Sequence, residues 1–157
     1  MRRPALVGIA VTSFLLAGCA ALGGGGGAPS PTPTGPPEVS VLDLAVGDCL
    51  DTHGKPRISE TVPVVDCSVE HDSEAYASIT VDGDDFPGDE SIKAQAQQGC
   101  VDAFATFAGI AYDDSTLDYV YYYPTAGSWA AGDRRILCLI IDPKAGQVTG
   151  SLEGAAR

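Results

Sequence analysis

Basic residues are scarce in this chain. Nine Lys and Arg stand against 21 Asp and Glu, a formal net charge of −12. A surface of that sign repels phosphate backbones and anionic headgroups, so nucleic acid is not an expected partner. The acidic balance suits cations or basic partners, or serves solubility alone. Long apolar runs are also missing. The longest, Ala5 to Ala17, is roughly a dozen residues, short of the ~20 that span a bilayer as a helix. Histidine is limited to His53 and His71, and there is one Trp, Trp129. No nucleophile elbow, phosphate loop or zinc-protease helix motif occurs, and Ser128 in Gly127-Ser128-Trp129 lies outside the Gly-x-Ser-x-Gly pattern. A hydrolase is therefore a distant reading.

What is present begins with a leader. Arg2 and Arg3 precede the short apolar run, which ends in Leu16-Ala17-Gly18-Cys19. A basic start, an apolar core and small residues before a Cys form a signal peptide with a lipobox over residues 1–18. Cys19 is the expected lipidation site, its thiol receiving a diacylglyceryl group, with an ordinary signal peptide as the alternative. Each buried methylene of an acyl chain contributes ~0.8 kcal/mol, so several chains anchor stably. Cleavage before Cys19 removes two basic residues and takes the formal charge from −12 to −14. The expected location is the outer face of the cytoplasmic membrane, with the membrane contacted through the lipid.

Residues 19–37 carry the lipidated Cys, a five-Gly run and then Ala-Pro-Ser-Pro-Thr-Pro-Thr-Gly-Pro-Pro. Glycine makes the first half flexible and proline makes the second extended, and neither half builds a core. This is a tether. Residues 38–157 then form one domain of roughly 120 residues, large enough for a modest core.

Four cysteines remain, Cys49, Cys67, Cys100 and Cys138. An even number in an exported domain points to two disulfides, with three possible pairings. Cys49–Cys67 is favoured because the pair flanks a turn-rich connection, Asp51 to Glu60. Cys100–Cys138 would then fix a helix to a strand. No two of these cysteines sit two to four residues apart, the spacing structural zinc sites use, so no metal is expected. A catalytic thiol would need one cysteine left reduced, against the even count.

The hydrophobic pattern gives an α+β fold, with one main helix packed on a mainly antiparallel sheet of about five strands and stapled by two disulfides. Extended segments are expected at Ser40–Val46, at Thr61–Cys67 (where Pro63 indicates an edge or irregular strand) and at Glu74–Val81. In the last, alternation puts Ala75, Ala77, Ile79 and Val81 on one face and Tyr76, Ser78 and Thr80 on the other. Asp89 to Ala108 is the convincing helix. Ile92, Ala96, Cys100, Ala103, Phe104 and Phe107 form its apolar stripe, acidic residues open it and Gly109 closes it. Leu117–Tyr123 is a strand with Tyr119, Tyr121 and Tyr123 on one face. Pro124–Asp133 is a loop holding Trp129, ordered by an ion pair of Asp133 or Arg134. Arg134–Ile141 is apolar without alternation and so central. Gln147–Leu152 adds a last strand.

Two clusters could carry function. The first is Cys67-Ser68-Val69-Glu70-His71-Asp72-Ser73-Glu74, where His71 and Glu74, with Asp72, are candidates for an acid–base or metal site, or for a hydrogen-bonding corner that fixes the loop. His53 reads as an exposed loop residue. The second is aromatic. Tyr119, Tyr121, Tyr122, Tyr123 and Trp129 could form a ring-lined surface for a protein, a glycan or an apolar ligand, or pack beneath the helix. No catalytic residues and no cofactor are expected.

The order of these features is informative as a whole. Val46-Gly47-Asp48-Cys49, Val64-Val65-Asp66-Cys67 with His71 and Glu74, helical Cys100, Pro124 with Trp129-Ala130-Ala131-Gly132-Asp133-Arg134, Cys138 and Gly150-Ser151-Leu152 resemble the septum-formation domain family of actinobacterial exported proteins. The resemblance covers Val39 to Gly154. It implies disulfide-bonded cysteines, a role for His71 with Glu74 that the family leaves undefined, and a link to cell division and the envelope, without catalytic residues to carry over. The expected function is a non-enzymatic, lipid-anchored binding or scaffolding protein whose partner is an envelope protein or cell-wall polymer. The alternative is a carrier or sensor of a small apolar ligand or cation.

Overall fold

The alternating and continuous apolar runs of the domain assemble into one main sheet. The computed structural model describes residues 35–53 and 60–157. The expected signal peptide, the expected lipidation site Cys19 and nearly all of the expected tether lie outside the described residues. Among the described residues eight strands form: β1 Glu38–Ser40, β2 Cys49–Leu50, β3 Thr61–Val65, β4 Glu70–His71, β5 Ser73–Thr80, β6 Asp118–Tyr122, β7 Arg135–Ile141 and β8 Val148–Thr149. Six of them make an antiparallel sheet in the order β1-β3-β2-β5-β7-β6, and β4 with β8 make a separate two-stranded sheet.

The fold class is the expected α+β, with six strands in the main sheet. The helix α1 spans Asp89–Ala108, with Asp89 and Glu90 in its first turn and Gly109 closing it in the left-handed conformation at φ 79°. Only glycine adopts that conformation without cost, which is why the helix stops there. Ile92, Ala96, Cys100, Phe104 and Ala108 are its buried face. They pack on Ile136, Cys138 and Ile140 of β7, and Gly99 lets the helix approach β5 so closely that a Cβ there would strike Ile79 Cδ1. β7 is interior but next to the edge, paired with β5 on one side and the edge strand β6 on the other, and its apolar run is buried.

A second core lies on the face away from α1. Leu44, Leu50, Val62, Ala75, Leu137 and Leu139 are buried there. The connection from β1 to β2 carries Leu44 across this face, and Arg135 of β7 holds it by donating to the carbonyls of Val41, Leu42 and Leu44.

Both disulfides form with the expected pairing. Cys49–Cys67 has a Cα separation of 5.3 Å and Cys100–Cys138 of 5.6 Å. Each stabilises by roughly 2–4 kcal/mol, mainly by restricting the unfolded chain. The second ties α1 to β7.

Several boundaries differ from the sequence pattern. The extended segment expected at Ser40–Val46 is instead a turn after a strand at Glu38–Ser40: Ser40 O accepts from Asp43 N and Ser40 Oγ from Leu42 N. β3 is interior, between β1 and β2; Pro63 is tolerated because β2 ends at Leu50, opposite Val64. Tyr76 lies on the α1 face with Ala77, Ile79 and Val81, while Ala75 alone faces the other core. The cause is a bulge between Ala75 and Ala77, which oppose the consecutive residues Leu139 and Cys138. One extra residue reverses the alternation. The expected loop at 124–133 contains a short helix, α2 Ala126–Ala130, started by a capping box between Thr125 and Ser128.

Candidate functional site

The His71 corner is built by β4, β5 and the C-terminal segment. His71 is fully buried. Its Nδ1 lies 2.8 Å from Val69 O, and since a carbonyl only accepts, Nδ1 carries the donated proton. Nε2 is buried with no hydrogen-bond partner among the described residues. Asp72 accepts from Thr52 N at 2.8 Å and from Ser73 Oγ at 2.9 Å. Glu74 accepts from Ser151 Oγ and from Leu152 N, both at 2.7 Å, and is 3% exposed. The three side chains are thus directed to separate structural partners, and no hydrogen bond joins them among the described residues.

The chemistry follows from those bonds. Glu74 fastens the segment after β8 to the sheet, and a second tie runs from Gly150 N to Cys67 O. The sulfurs of Cys49 and Cys67 and a Glu74 oxygen lie within 4.8 Å of one another. Sulfurs joined in a disulfide are not thiolates, so this group is no metal cage. His53 is exposed, 3.2 Å from Asp51 through Nδ1.

The tyrosines form a ladder. Tyr112–Tyr119, Tyr119–Tyr121 and Tyr121–Tyr123 have ring centroids 5.1, 6.4 and 5.7 Å apart. The ladder continues inward through Phe104 to Tyr76, at 5.3 and 5.9 Å. Tyr119, Tyr121 and Tyr123 pack against the α1 core and remain half-buried. Tyr112 donates to Asp118 Oδ1 at 2.9 Å; that bond to a carboxylate, then burial, pushes its phenol up to about 12. Burial raises the Tyr119 phenol as well. Both shifts favour the neutral phenol, and Tyr112 acts as a donor.

Trp129 stands apart from the ladder. It is buried on α2, donates from Nε1 to Asp84 O at 3.0 Å and packs on Phe86. The Arg134 guanidinium lies 3.7 Å from its ring centroid, a cation–π contact. The expected ion pair at this loop is absent among the described residues. Arg134 instead donates to backbone carbonyls of Trp129, Asp133 and Gly83, and Asp133 accepts from Ser128 Oγ and Arg135 N.

A groove of about 650 Å³ opens where the two ends of the main sheet meet. Val41 and Leu42, after β1, line one side; Tyr121, Tyr122 and Tyr123, at the end of β6, line the other. Tyr122 and Leu137 bring the second core to its surface. Glu60 and Asp133 are its carboxylates, and Arg135, already bonded to three carbonyls, is its cation. The sequence pattern pointed to three of these tyrosines. It did not point to Leu42, Glu60 or Arg135, because only the tertiary fold brings β1 near β6.

One long helix across an antiparallel sheet, two disulfides and an aromatic groove at the sheet ends define a small, cross-linked α+β domain. Residues 46–157 match the family model described as septum formation, and the chain belongs to that family. Membership links it to septum formation. No curated protein and no solved structure matches the chain. Among the described residues, no helix is long and apolar enough to cross a membrane.

Proposed function

We propose that the chain is a non-enzymatic binding or scaffolding module, held by a lipid on Cys19 at the outer face of the cytoplasmic membrane, that engages an envelope protein or cell-wall polymer during septum formation. The observation that carries this reading is the groove, with its mixed tyrosine and carboxylate lining. Aromatic rings beside a few polar groups are a common composition for recognition surfaces. The His71 corner supports the non-enzymatic part, since Asp72 and Glu74 are engaged in holding loops and the C-terminal segment. The leader and Gly/Pro tether support the anchor.

The test is co-purification from membranes with the full chain and with Glu60→Lys. An envelope component recovered with the first and reduced with the second supports the reading; equal recovery, or none, contradicts it. Cys19→Ala should release the chain from the membrane fraction.

The groove volume also falls within the range of roughly 300–1,000 Å³ that small-ligand pockets occupy. A carrier of a small apolar ligand is therefore the second reading. Native mass spectrometry separates the two, since a carrier retains a small bound mass.

A further inference from the structure

The groove has two rims, and they differ. β6 is the last strand of the sheet and pairs only with β7, so its outer edge has no strand partner among the described residues. Tyr119 N donates to Asp118 Oδ1 at 2.8 Å, which turns that N–H away from β7. In an antiparallel ladder the outward groups recur at every second residue, so Tyr121 also presents its N–H and C=O outward. Tyr121 lies at the groove. The other rim is closed, because Ser40 O and Ser40 Oγ are taken by the turn that follows β1.

Charge selects what can pair there. Glu60 and Asp133 outnumber Arg135 along the groove, and Asp118 begins β6; Arg135 is engaged by the carbonyls of Val41, Leu42 and Leu44 and Asp133 by Ser128 Oγ and Arg135 N, which leaves the net charge of the lining negative. A second copy of the chain carries the same −12 and would bring like charges together along the edge. A cationic segment is attracted instead.

Resting on the binding-module reading above, we propose that the groove takes an extended, positively charged peptide segment, which adds as a strand to the outer edge of β6. Main-chain bonds at Tyr121 would supply affinity; every second side chain would enter the groove beside Tyr122, Glu60 and Asp133, and those between would lie on the face of Tyr119 and Tyr123.

The experiment uses the full chain and four probes: a capped peptide of alternating lysine and valine, the same peptide N-methylated at every second amide, an alternating glutamate–valine peptide, and an N-acetylglucosamine oligomer. Amide NMR shifts and hydrogen exchange at Tyr119–Tyr123 are read. The lysine peptide should bind at about millimolar concentration and slow exchange at Tyr121 several-fold. Added salt should weaken it, and Glu60→Lys should weaken it about tenfold. Equal binding of the N-methylated or glutamate peptide overturns the proposal, as does a lysine peptide that leaves Tyr121 unprotected. Shifts produced only by the sugar oligomer overturn it in favour of a glycan. If membranes yield a groove-dependent partner while Tyr121 stays unprotected, the strand-addition inference fails and the binding-module reading stands. If Tyr121 is protected but membranes yield no partner, the envelope reading fails and the peptide site stands.

Discussion

The hydroxyl of Tyr76 donates to the carbonyl of Cys100 at 2.7 Å, joining β5 to the middle of α1 beside the disulfide that joins α1 to β7. Tyr76 is the extra residue of the bulge, and its ring lies on the α1 face together with Ala77. Burial pushes the phenol pKa up, in keeping with a group held as a neutral donor.

Tyr76→Phe keeps the ring contacts with Phe104 and Phe107 and removes only the hydroxyl. The expected loss is about 1 kcal/mol, the net worth of one buried hydrogen bond. Urea unfolding under oxidising conditions measures it. A loss near zero would mean that the hydroxyl contributes nothing to docking the helix.

The two disulfides should differ in weight. Their sequence separations are 18 and 38 residues. On the chain-entropy account, closing loops of those sizes contributes about 3 and about 4 kcal/mol. Replacing Cys100 and Cys138 together by Ala should therefore cost more than replacing Cys49 and Cys67. The reverse order in thermal unfolding would show that native packing, not loop entropy, governs the difference.

Much of this architecture was legible in the sequence. The helix was readable at both ends because its apolar stripe keeps one period from Ile92 to Phe107 and Gly109 stops it. The pairing of four cysteines followed from their number and from the turn-rich stretch between Cys49 and Cys67. The face of Tyr76 was not legible, since a bulge is set by the register of two strands and leaves no mark in one of them. Strands of two residues, such as β2 and β4, are defined by their partners and carry no period of their own. The groove was legible only in its tyrosines. Its second wall depends on Arg135 holding the turn after β1, a contact between residues far apart in the chain. The His71 corner was visible as a cluster, but its hydrogen bonds to Val69, Ser151 and Leu152 belong to the tertiary fold.

Glu74→Gln tests the fastening role. The carboxylate accepts on both oxygens, and an amide would turn one acceptor into a donor facing Ser151 or Leu152 N–H. The cost is about 1–3 kcal/mol, the penalty for a buried group left unsatisfied. Hydrogen exchange should accelerate at Leu152 first. Unchanged exchange there would remove Glu74 as the tie.

Acid should loosen the same end of the molecule. Asp142 is held below its ordinary 3.8 by the Ala145 backbone N–H, then by Lys144 N–H and the Arg157 guanidinium. A carboxyl depressed in the folded state stabilises above its unfolded pKa, and that stability is lost as pH falls through the folded value. The melting temperature should therefore fall below about pH 4, and Asp142→Asn should flatten that limb. An acid limb identical in the variant would exclude Asp142 as its source.

A groove-centred binding module predicts which face of the domain is covered in the cell. Leu42, 53% exposed, lies at the groove, whereas Val69, 49% exposed, does not line it. A photo-crosslinking residue placed at each position in turn, in intact cells, reports which face is covered. A discrete envelope adduct from position 42, absent from position 69, is the predicted result. No adduct at 42, or equal adducts at both, would contradict a groove-centred binding module.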